Sequence, residues 1–181
     1  MGLELAEQLD WELPDVILYP TGGVTGLIGM WKTFAKLGAI GWLPHGKRTR
    51  MISCQSEGCA PVASAYAAGE KHAPPFDNSH TVASRLRVPG AVGDFMILDA
   101  VRESGGSAVT APESCIEEWM TRLAKLEGLA ICPETAICMG VLDQLLAKGE
   151  ILPSERVLVF NTGGAMKYPD LIEEPSRHHD L

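Results

Sequence analysis

Apolar residues along this chain follow two rhythms: short continuous runs, and longer stretches in which they recur every three or four positions. The continuous runs predict strands over 15–20, 49–55, 107–111 and 156–161, and the periodic stretches predict helices over 2–10, 26–38, 59–69, 94–104, 113–127 and 134–148. Runs such as Val16 to Tyr19 and Arg156 to Phe160 hardly alternate, as expected when helices cover both faces of a parallel sheet. The expected class is therefore α/β, a three-layer parallel sheet flanked by helices. In the helix over 113–127, Pro112 suits the entry, Cys115, Trp119, Leu123 and Leu126 share one face, and Gly128 supplies the stop. No repeat, low-complexity tract or linker divides the chain, so one domain is expected.

The longest break in these rhythms runs from Lys71 to Gly93. Connections of that length inside a compact domain usually serve a site or are disordered, and Val82, Leu86 and Val88 favour an ordered loop at the border of a site. Within it, Arg85 and Arg87 can meet an anionic substrate and His80 can shuttle a proton. The plainer alternatives are a solvated arginine pair and a hydrogen-bonded structural histidine.

Composition narrows the partners. The chain has 181 residues, 46% of them hydrophobic, enough for one proper core. A formal net charge of −8 leaves no basic face for nucleic acid, so an anionic ligand has to be held by local backbone geometry. No run suits a membrane span, and the acidic amphipathic start lacks the basic region of a signal peptide. The five cysteines, at 54, 59, 115, 132 and 138, form no Cys-x-x-Cys pair and read as buried reduced thiols, which points to the cytoplasm. His178 and His179 read as part of a solvated tail rather than a metal site.

Candidate chemistry lies where the strand over 15–20 runs into Thr21, Gly22, Gly23, Val24, Thr25 and Gly26. Glycines there allow a sharp bend that presents several N–H groups to one oxyanion, while the following helix points its positive dipole end at the same place. The alternative is a tight turn that needs glycine for geometry alone. Neither G-x-G-x-x-G nor a P-loop is present, because Val24 replaces the second glycine and no Gly-Lys-Ser/Thr follows. The turn comes nearest to that of short-chain dehydrogenases, with Glu57 placed as a ribose-binding acid. However, Ile28 stands for glycine and the Tyr-x-x-x-Lys pair is missing.

A second glycine turn, Thr162, Gly163 and Gly164, closes the strand over 156–161. Carboxyl ends of parallel strands form one rim, so both turns can face the same crevice, with a phosphate at Gly22 to Gly26 and a hydroxyl at Thr162. That spacing describes a flat phosphorylated heterocycle such as pyridoxal phosphate. Several segments then align in order with one family: Leu13 to Lys32, Gln55 to Pro61, His80 to Pro89, Gly93 to Phe95, Arg102 to Gly106, Cys132 to Glu134 and Phe160 to Gly163. Together they resemble the C-terminal part of the threonine synthase family, among fold type II pyridoxal-phosphate enzymes, whose large domain is tryptophan synthase beta-like.

The resemblance implies that Gly22, Gly23, Val24, Thr25 and Gly26 cup the phosphate of pyridoxal 5'-phosphate and that Thr162 partners the pyridine nitrogen, a neutral pairing that leaves it unprotonated. It places Glu134 on the ring side of the crevice and the loop over 80–89 near its mouth. It implies conversion of O-phosphohomoserine, a phosphorylated amino acid, and water to threonine and phosphate. The family's Schiff-base lysine lies in an upstream segment, and none of Lys32, Lys36, Lys47, Lys71, Lys125, Lys148 or Lys167 stands in its context, so the expectation is a chain inactive by itself. Exposed apolar surface then favours a homodimer or a complementing N-terminal half. Departures from the family pattern fall at Val24, Arg85, Gly90, Thr135 and Gly164-Ala165, and β-branched Val24 lowers the expected phosphate affinity. A non-catalytic binding module and a divergent NAD(P)-binding domain are the competing readings.

Overall fold

A computed structural model describes residues 1–23, 25–44 and 48–172; Val24, Lys47, His178 and His179 lie outside them. Helix α1 (Gly2–Gln8) leads into strand β1 (Val16–Pro20), followed by α2 (Thr25–Ala39), β2 (Arg50–Ser56), α3 (Pro61–Ala67), α4 (Asp94–Glu103), β3 (Ser107–Ala111), α5 (Cys115–Glu127), α6 (Pro133–Ala147) and β4 (Val157–Val159). Two short 3-10 turns, Ala165–Lys167 and Pro169–Leu171, follow.

The four strands form one parallel sheet in the order β3-β2-β1-β4. The chain steps outward from β1 to β2 to β3 and then crosses back to add β4 on the other side of β1. Right-handed crossovers put helices from opposite directions of travel on opposite faces. One layer packs α1 to α4 against Ile17 and Met51; the other packs α5 and α6 against Val16, Leu18, Ile52 and Cys54. Alternate residues of β1 and β2 thus serve two cores. Each such aliphatic side chain removed from water contributes about 1.5–3 kcal/mol as an upper estimate.

The expected elements are present with shifted ends. The third predicted helix starts at Pro61, because Gly58 N–H bonds Ser56 Oγ at 3.0 Å and Cys59 N–H bonds Ser56 O at 3.0 Å, holding 56–60 as a turn. The buried stripe of α5 runs through Ile116 and Trp119, whereas Leu126, expected inward, is 67% exposed. Gly128 ends that helix in the left-handed conformation at φ 67°. Strand β4 is half-buried and three residues long, shorter than the predicted run over 156–161. The loop over 71–93 has no helix or strand, yet Ala83 and Leu86 are buried in the α5–α6 layer; Val82, expected to anchor it, is exposed.

Candidate functional site

Open parallel sheets place ligands outside the carboxyl ends of their strands, at the point where strand order reverses. Here the reversal lies between β1 and β4, and the glycine turns that follow these two strands meet there. Gly22, Gly23 and Gly26 of the first turn, Thr162 of the second, and Glu134 of α6 all line one cavity of about 240 Å³. Such a volume sits just under the range of roughly 300–1,000 Å³ usual for drug-sized ligands and suits one small ring with its phosphate.

The first turn is held from beneath. Thr21 N–H continues the ladder to Cys54 O at 2.8 Å, and the buried Gln55 amide donates to Thr21 O at 3.1 Å while accepting from Ala63 N–H at 3.0 Å. Glycine is imposed here by packing: a methyl on Gly22 would lie 2.0 Å from Arg85 O, and one on Gly26 would lie 1.9 Å from the Tyr19 hydroxyl. Gly23, by contrast, has nothing within 4 Å of such a methyl and faces open space. Helix α2 begins at Thr25, so its amino end points at the turn.

The second turn is pinned to the start of α6. Cys132 N–H donates to Gly163 O at 3.1 Å, Ala165 N–H donates to Ala130 O at 2.9 Å, and the Thr135 hydroxyl donates to Asn161 Oδ1 at 2.9 Å. Pro133 opens α6 at a position where a missing N–H costs nothing, which places Glu134 in the first turn. Glu134 is 1% exposed. Its Oε1 accepts from Arg85 N–H at 3.1 Å and from the Tyr168 hydroxyl, and Tyr168 also bonds Ser84 Oγ at 2.9 Å. Burial, then the hydrogen bond to the Glu134 carboxylate, holds the Tyr168 phenol above its ordinary value. Glu134 Oε2 is buried without a partner among the described residues. A buried acceptor left unpaired costs about 1–3 kcal/mol, so a ligand donor at that oxygen is favoured. Among the described residues the Thr162 hydroxyl has only Cys132 Sγ, 3.9 Å away, and is available to a ligand.

Other expectations divide. Arg85 and Leu86 border the cavity, while Arg87 and His80 do not. His80 is exposed, with its Nδ1 3.1 Å from Asn78 O and its backbone N–H bonded to Gly58 O at 2.9 Å, so the structural-histidine alternative describes it. Glu57, considered as a ribose-binding acid, is exposed and outside the cavity lining; its N–H bonds Ala111 O at the end of β3. Sequence reasoning missed Tyr19, whose ring stands over Gly26 and packs on Phe160 at 5.4 Å. It also missed the role of Gln55 as a brace, although Gln55 opened one of the aligned segments. All five cysteines are free, four of them buried, and no group of three or more His, Cys, Asp or Glu among the described residues can hold a metal. No described helix is long and apolar enough to cross a membrane.

Comparison with known proteins fits this geometry. Residues 1–163 match the family model described as pyridoxal-phosphate dependent enzyme. The threonine synthase of Methanosarcina acetivorans is 33% identical over 183 residues, covering 97% of this chain and 44% of the relative. That of Methanocaldococcus jannaschii is 31% identical over 173 residues, covering 94% and 42%. The chain thus spans less than half the length of these curated relatives. Among solved structures, threonine deaminase isoform 2 of Solanum lycopersicum superposes with a TM-score of 0.73 at 15% identity, covering 94% of this chain and 46% of that one. Maize serine racemase gives 0.65 at 21%, covering 90% and 46%. These two establish the fold, that of fold type II enzymes. With its match running through nearly the whole sequence, the chain belongs to the pyridoxal-phosphate-dependent enzyme family, whose cofactor is pyridoxal phosphate.

Proposed function

We propose that this chain is the cofactor-binding portion of a threonine synthase-like lyase, which converts O-phosphohomoserine and water to threonine and phosphate. The observation that carries the reading is the convergence of Gly22, Gly23 and Gly26, Glu134 and Thr162 on one small cavity at the strand-order reversal. The residues fit the group. The open face at Gly23 and the amino end of α2 suit a phosphate, the free Thr162 hydroxyl suits a ring nitrogen, and the unpaired Glu134 Oε2 calls for a donor. When bound, pyridoxal phosphate supplies an electron sink for carbanion chemistry. The chain's own groups would do the rest: backbone N–H groups of the first turn would anchor the phosphate, Thr162 would meet the ring nitrogen with a neutral hydroxyl, and Leu27 and Leu86, which line the cavity, would keep water from the ring. Glu134, held at Oε1 by Arg85 N–H and Tyr168, would offer its unpaired Oε2 on the ring side.

Among the described residues no lysine lines the cavity. The conversion therefore calls for a lysine from outside this lining. The same observation favours, as the second reading, a module that binds a phosphorylated ligand without catalysis. Family membership sets the dinucleotide-binding alternative aside.

Titration with pyridoxal phosphate, followed by equilibrium dialysis, tests the reading. Expected are saturable binding, competition by inorganic phosphate, loss of binding in Gly23→Asp, no borohydride-stable adduct on any lysine, and no phosphate release from O-phosphohomoserine. Binding that Gly23→Asp leaves intact overturns the assignment of the glycine turn. A lysine adduct overturns the account of the missing nucleophile.

A further inference from the structure

One short stretch of the loop over 71–93 walls the candidate site. Arg85 gives its N–H to Glu134 and sets its carbonyl against Gly22, and Leu86 is buried at the cavity lining. No helix or strand holds this stretch, so its place depends on what its flank is tied to. Two ties lie just upstream. His80 N–H bonds Gly58 O at 2.9 Å, and Val82 N–H bonds Glu113 Oε2 at 3.0 Å. The Val82 side chain is 48% exposed and packs little, so the N–H is what places the residue.

Glu113 stands half-buried in the connection between β3 and α5. Its Oε1 accepts from the buried Ser56 hydroxyl at the end of β2, and Ser56 Oγ accepts from Gly58 N–H at 3.0 Å, in the turn to which His80 is tied. One carboxylate therefore joins the end of β2, the entry of α5 and the loop, through hydrogen bonds that its charge strengthens. Glu113 is outside the cavity lining, and the salt bridges among the described residues do not include it. In a chain of net charge −8, any field it exerts on an anionic ligand is repulsive. What it contributes to such a site has to be geometric.

We propose that Glu113 is a positioning residue for the cofactor site: by spanning Ser56 Oγ and Val82 N–H it fixes the loop over 80–89 against the rim of the sheet and so holds Arg85 and Leu86 at the cavity wall. The link to the loop stands on these hydrogen bonds, and the link to the cofactor rests on the proposed function.

Two measurements on the whole chain test it: amide exchange without ligand, and equilibrium dialysis with pyridoxal phosphate. Glu113→Ala is expected to speed exchange at the Arg85 and Leu86 N–H groups about tenfold beyond any change at Ile17 and Leu18 of β1, and to weaken cofactor binding about tenfold, the equivalent of one hydrogen bond to a charged group. Glu113→Asp keeps the charge but is one methylene short of the span, and should behave like the alanine variant. Glu113→Gln should stay within about threefold of wild type in both measurements, because its carbonyl can accept from Val82 N–H while its amide donates to Ser56 Oγ. Circular dichroism checks that the variants fold.

Exchange at Arg85 and Leu86 that rises no more than in β1, in both the alanine and the aspartate variants, overturns the proposal. Tighter cofactor binding in Glu113→Ala also overturns it, being the result that a merely repulsive charge gives. So does an aspartate variant that matches wild type while the glutamine variant matches alanine. If the loop amides speed but cofactor affinity holds, Glu113 has no part in the site, the proposal falls and the functional reading stands. If the wild type itself takes up no pyridoxal phosphate, the functional reading fails and the exchange ratio alone decides the link to the loop.

Discussion

The two glycine turns at the rim of the sheet look alike in sequence and differ in what their glycines do. In the turn after β1, Gly22 and Gly26 are required by other parts of the protein, since the Arg85 carbonyl and the Tyr19 ring occupy the space a side chain would need. In the turn after β4, the groups around Gly163 stand at ordinary contact distance, the nearest being Lys167 Nζ, Arg85 Nη1 and Cys132 Cβ. In the first turn packing dictates Gly22 and Gly26 and leaves Gly23 open to a ligand. The second is a lined space, and its composition sets what can enter. Glycine content alone does not mark a binding loop; what stands over the missing side chain does.

The largest expected effect tests the scaffold side. Gly22→Ala drives a methyl into a backbone carbonyl that cannot rotate away, and should destabilise by about 3 kcal/mol, a fall in Tm of about 6–12 °C. Gly26→Ala meets the movable end of Tyr19 and should cost about 1 kcal/mol. Thermal melts of both variants check the order, and a reversed order breaks the argument from backbone contact.

Glu134→Gln comes next and probes the wall between the turns. With the carboxylate gone, the Tyr168 phenol should ionise at lower pH, read from tyrosinate absorbance in an alkaline titration. The sign follows from linkage. A folded value raised above the unfolded one of about 10 gives stability that is fully present below that pH and lost as pH rises through the folded value. The variant should therefore lose less stability on going alkaline than wild type.

Gly163→Ala tests the lined space. Its stability should stay within about 0.5 kcal/mol of wild type, because a methyl there meets its neighbours only at ordinary contact distance. A loss of stability equal to that of Gly22→Ala would erase the distinction between the turns.

The smallest effect concerns the layer behind the second turn. Burial, reinforced by Glu113 and Glu118, pushes the Cys115 thiol up to about 11. At pH 8 only about one molecule in a thousand then carries the thiolate, so alkylation of Cys115 in the folded protein should be negligible next to that of a free cysteine.

Much of this architecture was legible in the residues. Near-continuous apolar runs such as Val16 to Tyr19 read as strands covered on both sides, and that reading yields the parallel sheet. The ordered segments around Gly22, Glu134 and Thr162 pointed to one crevice, and these residues line one cavity. What stayed hidden depends on distances between remote parts of the chain. The Tyr168 hydroxyl reaches Glu134 Oε1 across more than thirty positions, and nothing in the local sequence announces that pairing. Leu126 and Val82 have the right chemistry for a core, but Ile116 and Ala83 occupy the inward-facing places. The brace formed by Gln55 is equally invisible, because a glutamine in an apolar strand gives no sign of which carbonyl it will meet.

Strand β4 carries one further consequence. It is three residues long, half-buried, and hydrogen-bonded to the sheet on one side through β1 alone, joining residues about 140 positions apart. Pairings of such long range form late and open early, so fraying at this margin would dismantle the pocket while the rest of the molecule stays folded. A small molecule gripping both turns would act as a clasp across that seam. Amide exchange at Leu158 and Val159 should slow on its arrival more than exchange anywhere in β2.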